Sequence, residues 1–394
     1  MSVSYWNDKG HKKEALSVDV IVIGAGIAGL STAFWLAKED PDLRVAIVEK
    51  YEVGSGATGR NAGFMTCGSV EHFNRLVGKH GEEEALEIWR FSEENLRLLK
   101  SHIITPCSAE LDFHEKGSFS LASSKNEFDE LKESAALMGR LGIKVEVVEQ
   151  QEILSRLGAE GFVGGIKYGL DADIHPLKLL NAIKQETLKL SENIRYYENN
   201  EVYEIGTIGD EKFVRTNKKM LKAQMVIFAT NGYSALLNNY FSDKIFATRG
   251  QILITEPVPL FMEGPVYANF VLDYFRQLPT GELIIGGFRQ LQKDVEKGYS
   301  DEVSDVIQKA LHDFLEKHIP AVRGKKITHR WSGIMGFSID GQPLIGSLPT
   351  DPQLFFLGGF TAHGLGLAFN SGKKLVDLLF DRPIPPFLSA KRFS

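Results

Sequence analysis

The chain has 394 residues, a formal net charge of −6 and two cysteines. That length exceeds what a single core usually organises, so at least two domains are expected. The acidic balance argues against a nucleic-acid enzyme, and Cys67 and Cys107 form neither a CxxC pair nor a disulfide framework.

Both thiols read as idle groups in a reducing, cytoplasmic compartment. Met1 to Leu16 is polar and reads as a loose extension rather than a signal peptide. No apolar run reaches the roughly 18 residues a membrane-spanning helix needs, so no membrane span is expected.

The first ordered stretch is the most informative. Asp19 to Ile23 is an apolar, β-branched run that reads as a strand buried on both faces. Gly24, Gly26 and Gly29 follow in GxGxxG spacing, Ile27 to Lys38 reads as a helix, and Leu43 to Val48 as a second buried strand ending in Glu49. In such a βαβ unit the first glycine allows a tight turn. The second lets a pyrophosphate approach the backbone, and the third lets helix and strand pack closely. The helix N-terminus offers free N–H groups to the phosphates. Glu49 suits the ribose hydroxyls and repels a 2′-phosphate, which favours FAD or NAD over NADP.

Lys50 to Ser69 is rich in glycine and small polar residues. It reads as a cofactor loop leaving the carboxyl edge of the sheet, with Arg60 and Asn61 as side-chain donors. Glu83 to Leu99 is an amphipathic helix. Gly117 to Ala122 reads as a strand, Asn126 to Leu141 as a helix and Val145 to Val148 as a strand, together an inserted unit. Pro176 to Leu190 reads as a helix with proline in its first turn. Ile194 to Glu198 and Glu201 to Ile205 read as strands. Lys212 to Asn217 and Met220 to Lys222 read as a hairpin leading to a strand over Gln224 to Ala229, closed by a turn at Thr230-Asn231-Gly232.

Phe246 to Glu256 reads as a strand broken at Gly250. Phe270 to Leu278 and Glu282 to Gly286 form a hairpin around Pro279-Thr280-Gly281. Alternation puts Leu272, Tyr274, Arg276 and Leu278 on one face. Arg276 is there either a solvated charge, paired with an acid such as Glu282, or an anion clamp. Val303 to Phe314 reads as an amphipathic helix. Leu354 to Leu379 reads as strand, glycine turn and helix, with the helix N-terminus near Gly364 to Leu367.

These blocks together resemble the FAD-dependent D-amino-acid oxidase-like family, which includes glycine oxidase, sarcosine oxidase, D-amino-acid dehydrogenase and γ-glutamylputrescine oxidase. The resemblance rests on GAGIAG with Glu49, GSGATGRNAG (Gly54 to Gly63), ATNG (Ala229 to Gly232) and RGQ (Arg249 to Gln251). It continues through YFR…LIIGG (Tyr274 to Gly287), DGQPLIG (Asp340 to Gly346) and GFTAHGLGLAFNSG (Gly359 to Gly372).

The resemblance implies a Rossmann-like α/β FAD-binding domain with an inserted α+β substrate domain carrying an antiparallel sheet. The FAD domain would comprise 17–80, 160–235 and 325–394, and the substrate domain 81–159 and 236–324, behind an extension over 1–16. It assigns FAD contacts to Gly24, Gly26, Ile27, Ala28, Gly29, Glu49, Lys50, Ala57, Thr58, Arg60, Asn61, Ala62, Gly63, Val202, Thr230, Asn231, Gly232, Gly333, Met335, Gly364, Leu365, Gly366 and Leu367. Tyr274 and Arg276 become candidates for the substrate face. His363 is either a catalytic base or a structural turn histidine.

The sequence departs from the family pattern at two places. Met335 stands where glycine oxidase-like members carry the arginine that clamps the substrate carboxylate, and Arg60 stands at the histidine of one covalent attachment motif. No cysteine of the second attachment motif is found around Ile334 to Gly336. The implied activity is oxidation of a C–N bond in a small amine or amino acid by hydride transfer to noncovalent FAD, with O₂ or another acceptor taking the electrons. Two alternatives share the scaffold: a 2-hydroxy-acid or quinone-linked dehydrogenase, and a flavoprotein acting on a tRNA side group. A non-catalytic NAD-binding module is the third.

Overall fold

The computed structural model describes residues 15–68, 70–269 and 273–393. At its centre is a six-stranded sheet in the order Leu344–Leu348, Asp351–Gly358, Met225–Phe228, Val20–Ile23, Val45–Val48, Ile194–Tyr197. All neighbours are parallel except Leu344–Leu348. The central runs VIVI, VAIV and MVIF are apolar throughout because both faces are covered. Val20, Val22, Val45 and Ile47 join the core under the helices. Ile21, Ile23, Ala46 and Val48 face Val214, Leu221 and Ala223 of a smaller sheet.

Helices Ile27–Glu39 and Gly364–Leu379 lie side by side on the first face. A Cβ at Gly372 would stand 2.9 Å from the Thr32 nitrogen, so glycine there permits the contact. The Trp35 indole N–H donates to the Phe369 carbonyl at 2.9 Å. The two ends of the chain are thus joined through one helix pair.

An eight-stranded sheet lies alongside. Its order is Ile327–Ser338, Ile245–Thr255, Leu283–Gly286, Asp273–Gln277, Val266–Ala268, Ser118–Ala122, Gly164–Tyr168, Val145–Glu149. Its pairs are antiparallel except Val266–Ala268 with Ser118–Ala122. Helix Asp305–His318 closes its apolar face through Ile307, Leu311, Phe314 and Leu315.

The structure departs from the expected elements at several points. Gly164–Tyr168 and Ile327–Ser338, assigned by the expected partition to the FAD side, are strands of this second sheet. The strand expected to break at Gly250 runs unbroken over Ile245–Thr255. Gly250 instead makes room, because a Cβ there would lie 2.8 Å from Met335 Cε. Ala15–Ser17 is not loose but pairs with Met220–Ala223. The helix expected from Glu83 to Leu99 is present, and a further helical segment from Val70 precedes it across a break at Gly81, whose φ is 83°. Gln150–Leu157 forms an additional helix, opened by a capping box between Glu149 and Glu152 and ended at Gly158 with φ 58°. Leu272 of the expected strand face lies outside the described residues. Among the described residues no helix is long and apolar enough to cross a membrane.

Arg276 is neither solvated nor paired with Glu282. Only 3% of it is exposed. Its guanidinium donates to the Ala62 carbonyl at 2.6 Å, to the Ile174 carbonyl at 3.0 Å and to the Asp173 carboxylate. The strand pattern that placed it beside Tyr274 is correct, but its head group passes over that face and locks the sheet to segments 62–63 and 173–174. Arg276→Met leaves Asp173 buried beside a half-exposed His114 as its remaining ionisable neighbour. We expect a loss of about 3–5 kcal/mol, read as a lower Tm. Arg276→Met combined with Asp173→Asn is expected to recover part of that loss.

Candidate active site

The site begins at the first strand's end. Gly24 has φ +105°, and a Cβ there would stand 2.7 Å from the Ala229 carbonyl oxygen. A Cβ on Gly29 would come within 1.9 Å of the Gly24 oxygen. Both positions therefore require glycine, and the turn sits directly against the closing turn of the Met225–Phe228 strand. The following helix starts at Gly26 with no side-chain cap. Its Ile27 N–H donates to Thr58 Oγ1 at 2.9 Å. The Glu49 carboxylate accepts the Ala25 N–H at 2.8 Å and the Tyr51 N–H at 3.1 Å. These bonds aim its oxygens along the glycine turn and leave further lone pairs for hydroxyl donors. Lys50 meets Glu201 at 3.0 Å, which brings the tip of the second strand beside Val202.

The loop after Glu49 contains a helical turn at Ala57–Arg60 and a short strand at Phe64–Met65. Both Asn61 amide donors, and two of the three Arg60 guanidinium nitrogens, bond within the protein. Arg60 donates to the Ser55 and Ser332 carbonyls, and its own carbonyl accepts the Trp331 indole N–H. Asn61 donates to the Ala57 and Thr58 carbonyls and accepts the Gly63 N–H. Gly333 exists to seat Arg60, whose Cβ would lie 2.9 Å from an added Cβ. Ala62 and Gly63 are held by Arg276 and by Ile174 N–H.

The opposite wall is a set of turns. Thr230 bonds Ser234, and Asn231, in a left-handed conformation, accepts the Gly359 N–H at 2.9 Å. A Cβ on Gly232 would crowd the Met335 carbonyl at 2.9 Å. Thr361 and Ala362 follow with φ of 48° and 69°, two consecutive non-glycine residues in the left-handed region. Such strain persists only where surrounding contacts impose it. Here Ser338 N–H donates to the Thr361 hydroxyl, and Thr361 N–H to the Gly336 carbonyl. The strained pair aims the uncapped N-terminus of helix Gly364–Leu379. Asn95 and Ser92 of the long helix hold the Leu365 and Gly366 carbonyls, and Gly366 lets the Thr66 carbonyl approach.

Between these walls lies an aromatic face. Tyr274 packs edge-on against Phe64 at 5.6 Å, and Phe64 against Tyr267 at 5.2 Å. Burial pushes the Tyr274 hydroxyl up to about 12. His363 is pushed down to about 4 by burial and then by the charges of Arg75 and Arg289. It is therefore neutral at neutral pH, at the foot of the helix. The Arg289 guanidinium lies over the Phe337 ring, 4.2 Å from its centre. Met335 and Phe337 alternate onto one side of the Ile327–Ser338 strand. Arg289, Arg75, Phe64 and Phe337 escaped the sequence reading. The only signal for Arg289 was a basic residue just beyond the LIIGG strand, which no periodicity distinguishes from a solvated charge.

The fold and these turns match known proteins. The family model described as FAD dependent oxidoreductase matches residues 19–378. The chain belongs to this FAD-dependent oxidoreductase family. The gamma-glutamylputrescine oxidoreductase of Escherichia coli is 25% identical to it over 93% of this chain and 84% of its own length. The glycine oxidase of Bacillus licheniformis is 24% identical over 93% of this chain and 94% of its own. The crystal structure of glycine oxidase from Geobacillus kaustophilus superposes with a TM-score of 0.79 at 22% identity, covering 95% of this chain and 98% of that one.

The oxidoreductase's own geometry suits FAD. Two helix N-termini whose own N-cap residues supply no side-chain cap, a glycine turn and an oriented carboxylate are the features it offers. No atom lies within 4 Å of the Cβ positions of Gly56 and Gly364, so backbone is open to a ligand there. Gly26→Val fills the approach to the first turn, and we expect purified protein to lose most of its FAD, measured as flavin absorbance per chain after desalting. Glu49→Ala is expected to lower that ratio less.

Proposed function

We propose that this flavoprotein oxidises the C–N bond of a small amine or amino acid, with FAD held noncovalently and O₂ or another acceptor taking the electrons. The observation that carries this reading is the match of residues 19–378 to the FAD-dependent oxidoreductase family, together with the glycine turn and the oriented Glu49 carboxylate that suit FAD. Tyr274 is raised to about 12 and His363 lowered to about 4. A phenol that stays protonated and an imidazole this weakly basic suit a reaction in which no side chain takes a proton from carbon. When bound, FAD supplies the acceptor for a hydride leaving the carbon next to nitrogen.

The chain's residues then bind, orient and exclude water. Gly24, Gly26, Ile27, Ala28, Gly29 and Thr58 would carry the pyrophosphate. Glu49, Lys50 and Val202 would take the adenosine end. Ala57, Ala62, Gly63, Thr230 to Gly232, Gly333 and Met335 would enclose the ring system. The amides of Gly364 to Leu367 would place the positive end of a helix beside its electron-rich edge. Arg60 and Asn61 act by shaping the loop. Tyr274 and the Met335 and Phe337 side chains would form the substrate wall. The amine binds neutral, and the imine product hydrolyses after release. Among relatives whose names state a substrate, gamma-glutamylputrescine and glycine both carry an amino group, which supports the same class.

The decisive test is anaerobic mixing of the holoenzyme with a panel of amines and amino acids, followed at the flavin absorbance band. Bleaching by an amine supports the proposal. Bleaching only by 2-hydroxy acids overturns it. Acid precipitation is expected to leave all flavin in the supernatant, and flavin pelleting with the polypeptide would overturn the noncovalent assignment. His363→Asn is expected to leave the pH profile of bleaching unchanged between pH 6 and 8, since the native imidazole is already neutral throughout that range.

A further inference from the structure

The arginine that this family's pattern places over the reacting face is Met335 here, and Arg276 is committed to the protein's interior. A different cation faces the same wall. Arg289 opens the short turn Arg289–Gln292 that follows the Leu283–Gly286 strand, with Gly287 and Phe288 at φ 134° and 58° ahead of it. That double left-handed bend turns the chain so that the side chain crosses to the neighbouring Phe337. The half-buried guanidinium stacks on that ring at 4.2 Å.

Its pairing is what distinguishes it. The buried Arg276, Arg249 and Lys212 each hold an acid, respectively Asp173, Glu296 and Asp351. Among the described residues Arg289 makes no hydrogen bond and no ion pair, and its contact is the face of the Phe337 ring. Asp273, the acid on the adjoining strand, is bound to Asn269 and to the Phe288 N–H instead. Arg75 adds a second positive charge that works against Arg289. A desolvated guanidinium facing another cation is costly unless an anion completes it. Its fork of donors matches a carboxylate. Tyr274, electrostatically coupled to Arg289, adds a neutral hydroxyl donor to the same wall.

We infer that Arg289 is the anchor for the substrate's carboxylate, taking over from the turn after the Leu283–Gly286 strand the role that Met335 cannot fill. The substrate is accordingly an amine that carries a carboxylate, held by Arg289 at one end with Met335 as an uncharged neighbour. This rests on the amine-oxidation reading above, and two independent measurements separate the two.

The first is equilibrium titration of the oxidised holoenzyme with acetate and with benzoate, read from the perturbed flavin spectrum. Wild type is expected to bind at least one of them. Arg289→Met is expected to weaken that binding about ten- to a hundredfold, the loss of a charge-assisted hydrogen bond. Arg289→Lys is expected to recover part of it. Flavin content and Tm of each variant establish that it is folded. Unchanged binding in folded Arg289→Met overturns the inference, as does a wild type that binds neither anion.

The second compares the best amino acid of the panel with its decarboxylated amine. Wild type is expected to favour the acid through KM, and Arg289→Met to erase that preference. A preference retained in Arg289→Met, or a wild type that favours the plain amine, overturns the anchor. Should no amine bleach the flavin, the oxidation reading fails, while the anion titration still decides the role of Arg289.

Discussion

The buried guanidinium of Arg276 is the constraint on which the site depends. It leaves one sheet and ends on the Ala62 carbonyl, the Ile174 carbonyl and Asp173, all outside that sheet. A guanidinium buried this deeply is stable only with its donors satisfied. The requirement sets the distance between the eight-stranded sheet and the loop after Glu49. Gly63 follows from the same packing, since a Cβ there would lie 2.5 Å from Arg276 Nη2 and 2.1 Å from the Ile174 carbonyl oxygen. Loop and sheet are thereby held as two walls with the aromatic face of Phe64, Tyr267 and Tyr274 between them.

A second set of constraints works through backbone alone. Gly24 and Gly29 bring strand, helix and the Ala229 turn closer than any side chain allows. On the far wall, Asn231, Thr361 and Ala362 occupy left-handed conformations within a short distance of the helix N-terminus. Their strain is offset by hydrogen bonds from Ser338, to Gly336 and from Gly359. The chain spends local stability to aim amide groups in a fixed direction, as expected where pre-organisation is part of function.

Charge is distributed unevenly across this frame. Arg60, Arg249 and Arg276 look alike as basic residues in cofactor-linked motifs, yet each bonds to carbonyls or acids of the protein itself. Arg289, in no motif of its own, is stacked on an aromatic ring and faces Tyr274, His363 and Arg75. Met335 brings no charge to this side of its strand, and the turn after Leu283–Gly286 brings the Arg289 guanidinium over the neighbouring Phe337.

The amino-acid sequence alone determined the βαβ unit, the helix Pro176–Leu190, the hairpin around Pro279-Thr280-Gly281, the terminal strand–turn–helix and the FAD-dependent family. Those features are written in short-range signals: runs of β-branched residues, glycine spacing, a proline in a first turn. Tertiary structure decided the rest. It placed Gly164–Tyr168 and Ile327–Ser338 in the second sheet, because strand partners are chosen by surfaces distant in sequence. It kept the strand through Gly250 unbroken, because its pairing with Ile327–Ser338 and the room needed by Met335 outweigh glycine's weak preference. It also decided which arginine reaches which wall. Alternation assigns a side chain to a face, but where a long guanidinium ends depends on the carbonyls and rings that other segments bring to meet it.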